Sequence, residues 1–343
     1  MRFSAAMVNS VYYVSRAATM PESYPFVTVI MPIYNEEAFI ARSLGAVLAQ
    51  DYPSDRYEVI VVDGMSQDAT RQVIRSLPEA ERVRLLDNPQ RIQAVAMNIG
   101  LAHAKGEIIV RVDGHTIIAP DYLRACVRAL QSTQAWNVGG GMYPVGETPM
   151  GKAIAAAGRS AFAVPTAFHV SDQPAYTDTV YMGAWWRWAL ERVGGYDPTF
   201  AINEDYELNY RLRAAGGKIY FSPEIRSNYY CRQTLSALWR QYYRYGTGRV
   251  QTLKKHPRSL RARQLAAPLF VAGVFGGALL APFSAALRRL WLLGLALYAT
   301  ANLFFSWRTA RRYGMAHLPR LPLVFLTIHL AWGLGFWRGI LRR

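Results

Sequence analysis

Four short apolar runs, at residues 26–31, 58–62, 82–86 and 107–112, alternate with stretches at 36–50, 68–77 and 92–104 in which apolar positions recur every three or four residues. The short runs are rich in branched residues and predict buried strands, and the spaced stretches predict amphipathic helices. Strands alternating with helices imply an α/β fold, Rossmann-like, with a mainly parallel sheet covered by helices on both faces. No Gly-x-Gly-x-x-Gly follows the first strand, which argues against a dinucleotide-binding oxidoreductase.

Beyond residue 113 the pattern is mixed. Gly139-Gly140-Gly141 interrupts a strand-like stretch, and residues 144–178 read as loop-rich with an Ala-rich helical candidate at 153–163. Residues 204–215 predict a helix closed by Gly216-Gly217, residues 219–222 a short strand, and residues 233–255 an aromatic, basic amphipathic helix. Three apolar segments follow, at 266–287, 290–307 and 321–337, with 22, 18 and 17 residues. At about 1.5 Å per residue the first can cross a hydrocarbon core of about 30 Å, and the other two are marginal. Trp291, Trp307 and Trp337 stand at segment ends beside Arg289, Arg308 and Arg338, which suits interfacial anchoring. The competing reading is a buried helical bundle. Gly276-Gly277 and Pro282 also allow a broken or re-entrant first segment.

The expected organisation is an N-terminal leader (1–24), an α/β domain (25–250) and a hydrophobic, basic membrane region (251–343). The first 20 residues carry apolar positions broken by Ser4, Asn9, Ser10 and Ser15, so they read as a surface helix or leader rather than a cleaved signal peptide.

Charge sharpens this division. Residues 225–343 hold 19 Lys or Arg and no Asp or Glu, whereas residues 1–224 hold 20 basic and 23 acidic residues. A pI near 10 invites a nucleic-acid reading. The basic residues instead flank apolar runs, which favours an anionic membrane surface. There is neither zinc-finger spacing nor an RRM-like aromatic motif, so no nucleic-acid partner is expected. Two cysteines, Cys126 and Cys231, are too few for a disulfide framework.

Candidate chemistry collects at the strand ends. Pro32-Ile33-Tyr34-Asn35-Glu36-Glu37 leaves the first strand, Asp63-Gly64-Met65-Ser66 the second, and Asp113-Gly114-His115 the fourth. In open α/β sheets ligands bind at this carboxyl edge. Each piece alone is ordinary turn chemistry. Together, with Asn98 between them, they place carboxylates and amides that can read a base and a ribose. Asp113 and His115 across a tight turn suit a divalent cation on a diphosphate. Asn203-Glu204-Asp205 opens a predicted helix, where a cap and favourable dipole charge would choose the same residues. Gln241 and Arg244 lie three apart on the basic helix.

This series resembles family 2 glycosyltransferases of the GT-A fold over residues 25–250. Finer likeness to succinoglycan-type exopolysaccharide glucosyltransferases rests on Asn88-Pro89-Gln90-Arg91-Ile92-Gln93, Asp113-Gly114-His115 and Gln241-Tyr-Tyr-Arg244-Tyr245-Gly246, with the C-terminal apolar segments. The resemblance implies a nucleotide-binding loop at Pro32, Tyr34, Asn35 and Glu36, and an Asp63 that faces the base, with Ser66 and Asn98 also binding the nucleotide sugar. It makes Asp113 the first Asp of an Asp-x-Asp metal motif, with His115 in place of the second and Mg²⁺ or Mn²⁺ as cofactor. Asp205 becomes the general base, in a Glu204-Asp205 motif. Gln241 and Arg244 resemble a Gln-x-x-Arg-Trp motif with Tyr245 in place of Trp.

The implied function is inverting transfer of a hexose from a nucleotide-diphospho-sugar, UDP-linked, to a lipid-linked acceptor on a polyprenyl diphosphate. The implied place is the cytoplasmic face of a bacterial inner membrane, among membrane lipids and other polysaccharide-assembly enzymes. Three alternatives stand beside it: a polyprenyl-phosphate glycosyl synthase, a processive synthase, and a non-catalytic membrane-bound sugar-nucleotide-binding scaffold.

Overall fold

A computed structural model describes residues 24–163 and 166–342. The leader expected at residues 1–24 lies almost wholly outside them. Among the described residues one nine-stranded sheet runs β3-β2-β1-β4-β8-β6-β9-β5, with β7 also on β9. Its strands are β1 (Val27–Ile33), β2 (Tyr57–Asp63), β3 (Val83–Asp87), β4 (Ile108–Arg111), β5 (Thr116–Ile118), β6 (Ala135–Val145), β7 (Ala175–Thr177), β8 (Tyr181–Trp186) and β9 (Lys218–Tyr230). β1 pairs in parallel with β2 and β4, and β2 with β3, as the alternation predicts. β8 then enters antiparallel between β4 and β6.

The helices are α1 (Ile40–Leu48), α2 (Thr70–Ser76), α3 (Gln93–His103), α4 (Tyr122–Ser132), α5 (Pro149–Gly158), α6 (Ala167–Val170), α7 (Arg187–Arg192), α8 (Glu204–Ala214), α9 (Leu235–Lys255), α10 (Ala266–Leu280), α11 (Ala285–Tyr313) and α12 (Leu321–Leu341). The central strands are mainly apolar because both faces are covered. Val27, Val29, Met31, Val59 and Val61 pack in one cluster with residues of α1 and α4. Ile30, Ile60, Val62 and Ile109 pack in another with residues of α3 and α8. Full burial of each such side chain is worth about 1.5–3 kcal/mol.

Three expectations change. The short strand at 219–222 is the first part of the 13-residue β9, which pairs with β6 on one side and with β5 and β7 on the other. Mixed polar residues hid its second half. The glycine run at 139–141 interrupts its strand by shifting register rather than by breaking it, since all three residues lie inside β6 and its pairing slips at Gly140–Gly141. The first apolar segment ends sooner than its length implies, in a 3₁₀ turn at Ala281–Phe283 that contains Pro282.

Three helical stretches, Ala262–Phe283, Ala285–Tyr313 and Leu321–Leu341, are long and apolar enough to cross a membrane. They differ in surroundings. Leu279, Phe283 and Leu290, near the α10–α11 turn, are exposed, whereas half of α12 is buried in protein. α12 packs along α9 through a seam in which glycines let the two backbones approach closely. A Cβ at Gly246 would lie 2.1 Å from the Trp332 carbonyl oxygen, and one at Gly335 would lie 2.1 Å from that of Tyr243. Thr247 Oγ1 donates to the Gly335 carbonyl at 3.1 Å inside this seam.

Candidate active site

The loops after β1 and β2 form one platform. Asn35, in the left-handed region (φ 53°), donates its N–H to Ser66 Oγ at 2.9 Å and accepts the Gln67 N–H on Oδ1 at 2.8 Å. Glu36 N–H donates to Thr70 Oγ1 at 2.7 Å. Pro32 is buried in β1, while Tyr34 is 42% exposed with the Arg91 guanidinium 5.7 Å from its ring centre. Asp63 ends β2 fully enclosed. It accepts from Ser66 Oγ at 2.5 Å and meets Arg71 Nη1 at 3.2 Å, and Arg71 also bonds Asp87 at the end of β3.

β4 brings up the next group. Asp113 and His115 share a turn but have separate partners. Asp113 Oδ1 accepts from Arg111 Nε at 2.8 Å and from Gln93 Nε2 at 3.3 Å. His115 Nδ1 bonds Glu36 Oε1 at 2.8 Å. Gly114 allows this, because a Cβ there would lie 2.9 Å from Glu36 Cγ and displace it. Burial alone would lower the His115 imidazole, and the bond to Glu36 outweighs it and raises it above its ordinary value.

α8 completes the centre. Asn203 enters it at φ 61°, and Glu204, Asp205 and Glu207 occupy its first turn, where the helix dipole favours acids. Glu204 is buried and accepts from Arg111 Nη1 at 3.0 Å. Asp205 is half-buried, and its Oδ1 takes the Tyr206 N–H at 2.7 Å. Burial raises both carboxyls, Glu204 to about 7, with Arg111 opposing; the Asp205 charge adds to the shift of Glu204, and the Asp113 charge to that of Asp205. Arg111 is itself raised well above its ordinary value. Burial would lower it, and Asp113 and Glu204 outweigh that.

α9 borders the other side. Gln241 Nε2 donates to the hydroxyls of Tyr229 at 3.0 Å and Tyr245 at 2.9 Å, and the Tyr229 ring stands edge-on to His115 at 5.4 Å. Arg244 is exposed on the same helix. Asn98 has a different setting. Its Nδ2 donates to the Tyr196 carbonyl at 2.7 Å and its Oδ1 accepts the Tyr196 N–H at 2.8 Å, so its amide clamps the chain entering α8.

Sequence reasoning missed Arg111, Arg71 and Tyr229, and singled out Gln93 only as part of the Asn88–Gln93 stretch. Arg111 had a legible signal, being a charged residue in the otherwise apolar β4 run. The others are ordinary surface types until the sheet brings them together. Among the described residues no three His, Cys, Asp or Glu side chains gather closely enough to hold a metal by themselves. Asp113 and His115, the expected ligands, offer oxygen and imidazole chemistry, and ligand oxygens would have to complete any metal site they formed. The His115–Glu36 bond is of the kind that would orient a ligating histidine.

Comparison with known proteins decides the family. The model for glycosyl transferase family 2 matches residues 28–159, and that for glycosyl transferase family group 2 matches residues 108–337. The chain belongs to glycosyl transferase family 2. Within that family it is 33% identical, over 91% of its length and 94% of the relative's, to the succinoglycan biosynthesis protein ExoA of Rhizobium meliloti (strain 1021). It is 26% identical, over 67% of its length and 74% of the relative's, to a dolichyl N-acetyl-alpha-D-glucosaminyl phosphate 3-beta-D-2,3-diacetamido-2,3-dideoxy-beta-D-glucuronosyltransferase of Methanococcus voltae. Among solved structures it resembles the mannosyltransferase PcManGT from Pyrobaculum calidifontis, in complex with GDP-Man and Mn²⁺, with a TM-score of 0.63, 25% identity and 88% of both chains covered. The fold is thus GT-A, and the protein is a glycosyltransferase.

Proposed function

We propose that this chain is a membrane-associated inverting transferase that moves a hexose from a nucleotide-diphospho-sugar, UDP-linked, to a saccharide carried on a polyprenyl diphosphate. The observation that carries this reading is Asp205. It is a half-buried carboxylate at a helix N-terminus, with Oδ1 fixed by a backbone N–H, beside the Arg111-centred group of acids. Asp205 takes the proton from the acceptor hydroxyl as that oxygen attacks the anomeric carbon. The bond from that carbon to the diphosphate breaks with its electron pair on the leaving oxygen. Arg244, exposed on α9, lies on the helix that borders the site and neutralises this charge.

The platform of Tyr34, Asn35, Glu36, Asp63 and Ser66 receives the nucleotide, with Tyr34 as the exposed aromatic face. In this reading Asp113 and His115 hold Mg²⁺ or Mn²⁺, which would supply charge neutralisation on the diphosphate. The Mn²⁺ and GDP-Man in PcManGT support a divalent cation and a nucleotide donor. Gln241 orders the Tyr229–Tyr245 wall, Glu204 fixes Arg111, and Asn98 holds the entry to α8. Residues 25–250 form the transferase domain and residues 251–343 hold it on the cytoplasmic face of a bacterial inner membrane, beside the acceptor lipid.

Asp205→Asn tests this directly. Donor affinity, measured by nucleotide-sugar titration, should stay near wild type. Turnover on a saccharide acceptor should fall by a factor on the order of 10²–10⁴. A variant that binds donor normally and turns over near the wild-type rate removes Asp205 as the base and favours a lipid phosphate as the attacking group.

A further inference from the structure

The third apolar segment has a partner that the other two lack. α12 runs in the same direction as α9 and touches it along its whole length. Near their beginnings Leu238 packs in one cluster with Val324, Phe325 and Ile328. In the middle the seam at Gly246 and Gly335 brings backbone against backbone. At their ends Lys254 Nζ donates to the Arg342 carbonyl oxygen.

α9 cannot follow α12 into hydrocarbon. It carries Arg240, Arg244, Arg249, Lys254 and Lys255 and no acid. Its other side is tied to the catalytic elements by Gln241 to Tyr229, Gln251 to the Thr199 carbonyl and Lys255 to Glu207. Drawing α12 across a bilayer would bury those cations and the site with them, and charged side chains at membrane depth are strongly disfavoured. α10 and the first half of α11 have no such tie to α9, whereas the second half of α11 packs on α12 and on the segment after α5, with Asn302 Nδ2 donating to the Pro322 carbonyl at 3.0 Å and the Phe305 ring stacked on Phe162 at 4.6 Å. α10 meets α12 at its first turns, where Trp337 Nε1 donates to the Pro268 carbonyl at 2.9 Å. The hairpin then carries its exposed apolar residues away, to a turn at residues 281–284.

We propose that α12 does not cross the membrane. It lies in the headgroup–acyl boundary of the leaflet on the catalytic side, as a floor under α9, and only the α10–α11 hairpin enters the bilayer to its far side. The partner of its outward face is the acyl region of that leaflet. Leu323, Trp337, Ile340 and Leu341 are exposed there, and Arg320, Arg338 and Arg342 supply cations for lipid phosphates. Gln241 and Arg244 are then held at phosphate height. This inference rests on the membrane association proposed above and adds the side on which α12 ends.

Variants of the full chain with one added cysteine test it. Cys126 and Cys231 are both buried, so wild type is the unlabelled control. Arg320→Cys and Arg342→Cys flank α12, Glu81→Cys reports the catalytic side, and Ala285→Cys reports the hairpin turn. In oriented vesicles an impermeant maleimide should label positions 81, 320 and 342 from one side and position 285 only from the other. Nitroxides at 320 and 342 should sit at similar shallow depth. A crossing helix of 21 residues would separate its ends by about 30 Å along the membrane normal. Positions 320 and 342 on opposite sides, with depths that far apart, overturn the proposal. A wild-type chain that does not sediment with vesicles at all contradicts membrane association itself, a separate failure read before labelling begins.

Discussion

Replacing Arg111 by methionine should damage the protein more than any other single change at the sheet edge. The guanidinium meets Asp113 at 2.8 Å and Glu204 at 3.0 Å, and all three residues are buried. Methionine fills similar volume but leaves two carboxyls enclosed without their cation. Removing one partner of a buried pair costs about 3–5 kcal/mol. At about 2 °C per kcal/mol, the scale for larger chains, the unfolding midpoint falls by roughly 6–10 °C. The deficit depends on pH in a definite sense. Burial already raises Glu204, to about 7, and losing Arg111 raises it further. A folded carboxyl that holds its proton more tightly than the unfolded chain makes stability fall as pH rises through the interval between the two values. The deficit therefore widens from pH 6 to pH 8, by up to about 1.4 kcal/mol per pH unit as Glu204 is made to ionise. The assay is thermal unfolding in detergent, followed by tryptophan fluorescence, at both pH values. Arg111→Lys keeps the charge but not the fork that reaches two carboxylates, so it should fall between. A midpoint within about 1 °C of wild type at pH 8, or a larger deficit at pH 6, would refute the reasoning, because ~3 kcal/mol is at stake.

Excess chelator should abolish transfer and added Mn²⁺ restore it, with Asp113→Ala inactive and His115→Asp active with an altered metal preference. Full activity in chelator contradicts the proposed cation. The acid limb of the turnover profile should lie above the ordinary Asp range, because the base works deprotonated and burial raises Asp205. Activity then rises with pH through that limb, and a limb near pH 4 contradicts the assignment. The full chain should stay in the membrane pellet after a carbonate wash, whereas release by high salt alone would mean that the basic residues, not the hairpin, hold it.

The first half of the fold was legible because its strands are short, branched and buried on both faces, so periodicity and turn residues mark their ends. β1, β2, β3 and β4 all fall within a residue or two of their expected positions. The strand-end motifs were legible for the same reason, since Asp63 and Asp113 follow runs that could only be strands. What escaped was pairing across distance. Nothing local says that Glu36 meets His115, 79 positions away, or that Arg111 meets Glu204, 93 away. The three C-terminal apolar segments were legible as helices long and apolar enough to cross a membrane, but hydrophobicity does not tell how much of each helix faces protein. The distinguishing signal was present in Gly335-Phe-Trp-Arg-Gly339, a small-xxx-small spacing that lets backbones approach.

That glycine seam bears on how a soluble enzyme can be made from this chain. A truncation after α9 looks natural in sequence, where the transferase domain ends and the apolar region begins. It would strip the cover from Leu238, Gly246 and Val250, which are buried in the intact molecule. The exposed strip lies on the back of the helix whose front carries Gln241, so the loss is not confined to a membrane anchor. Solubility is better sought by removing the α10–α11 hairpin and joining α9 to α12 with a polar linker.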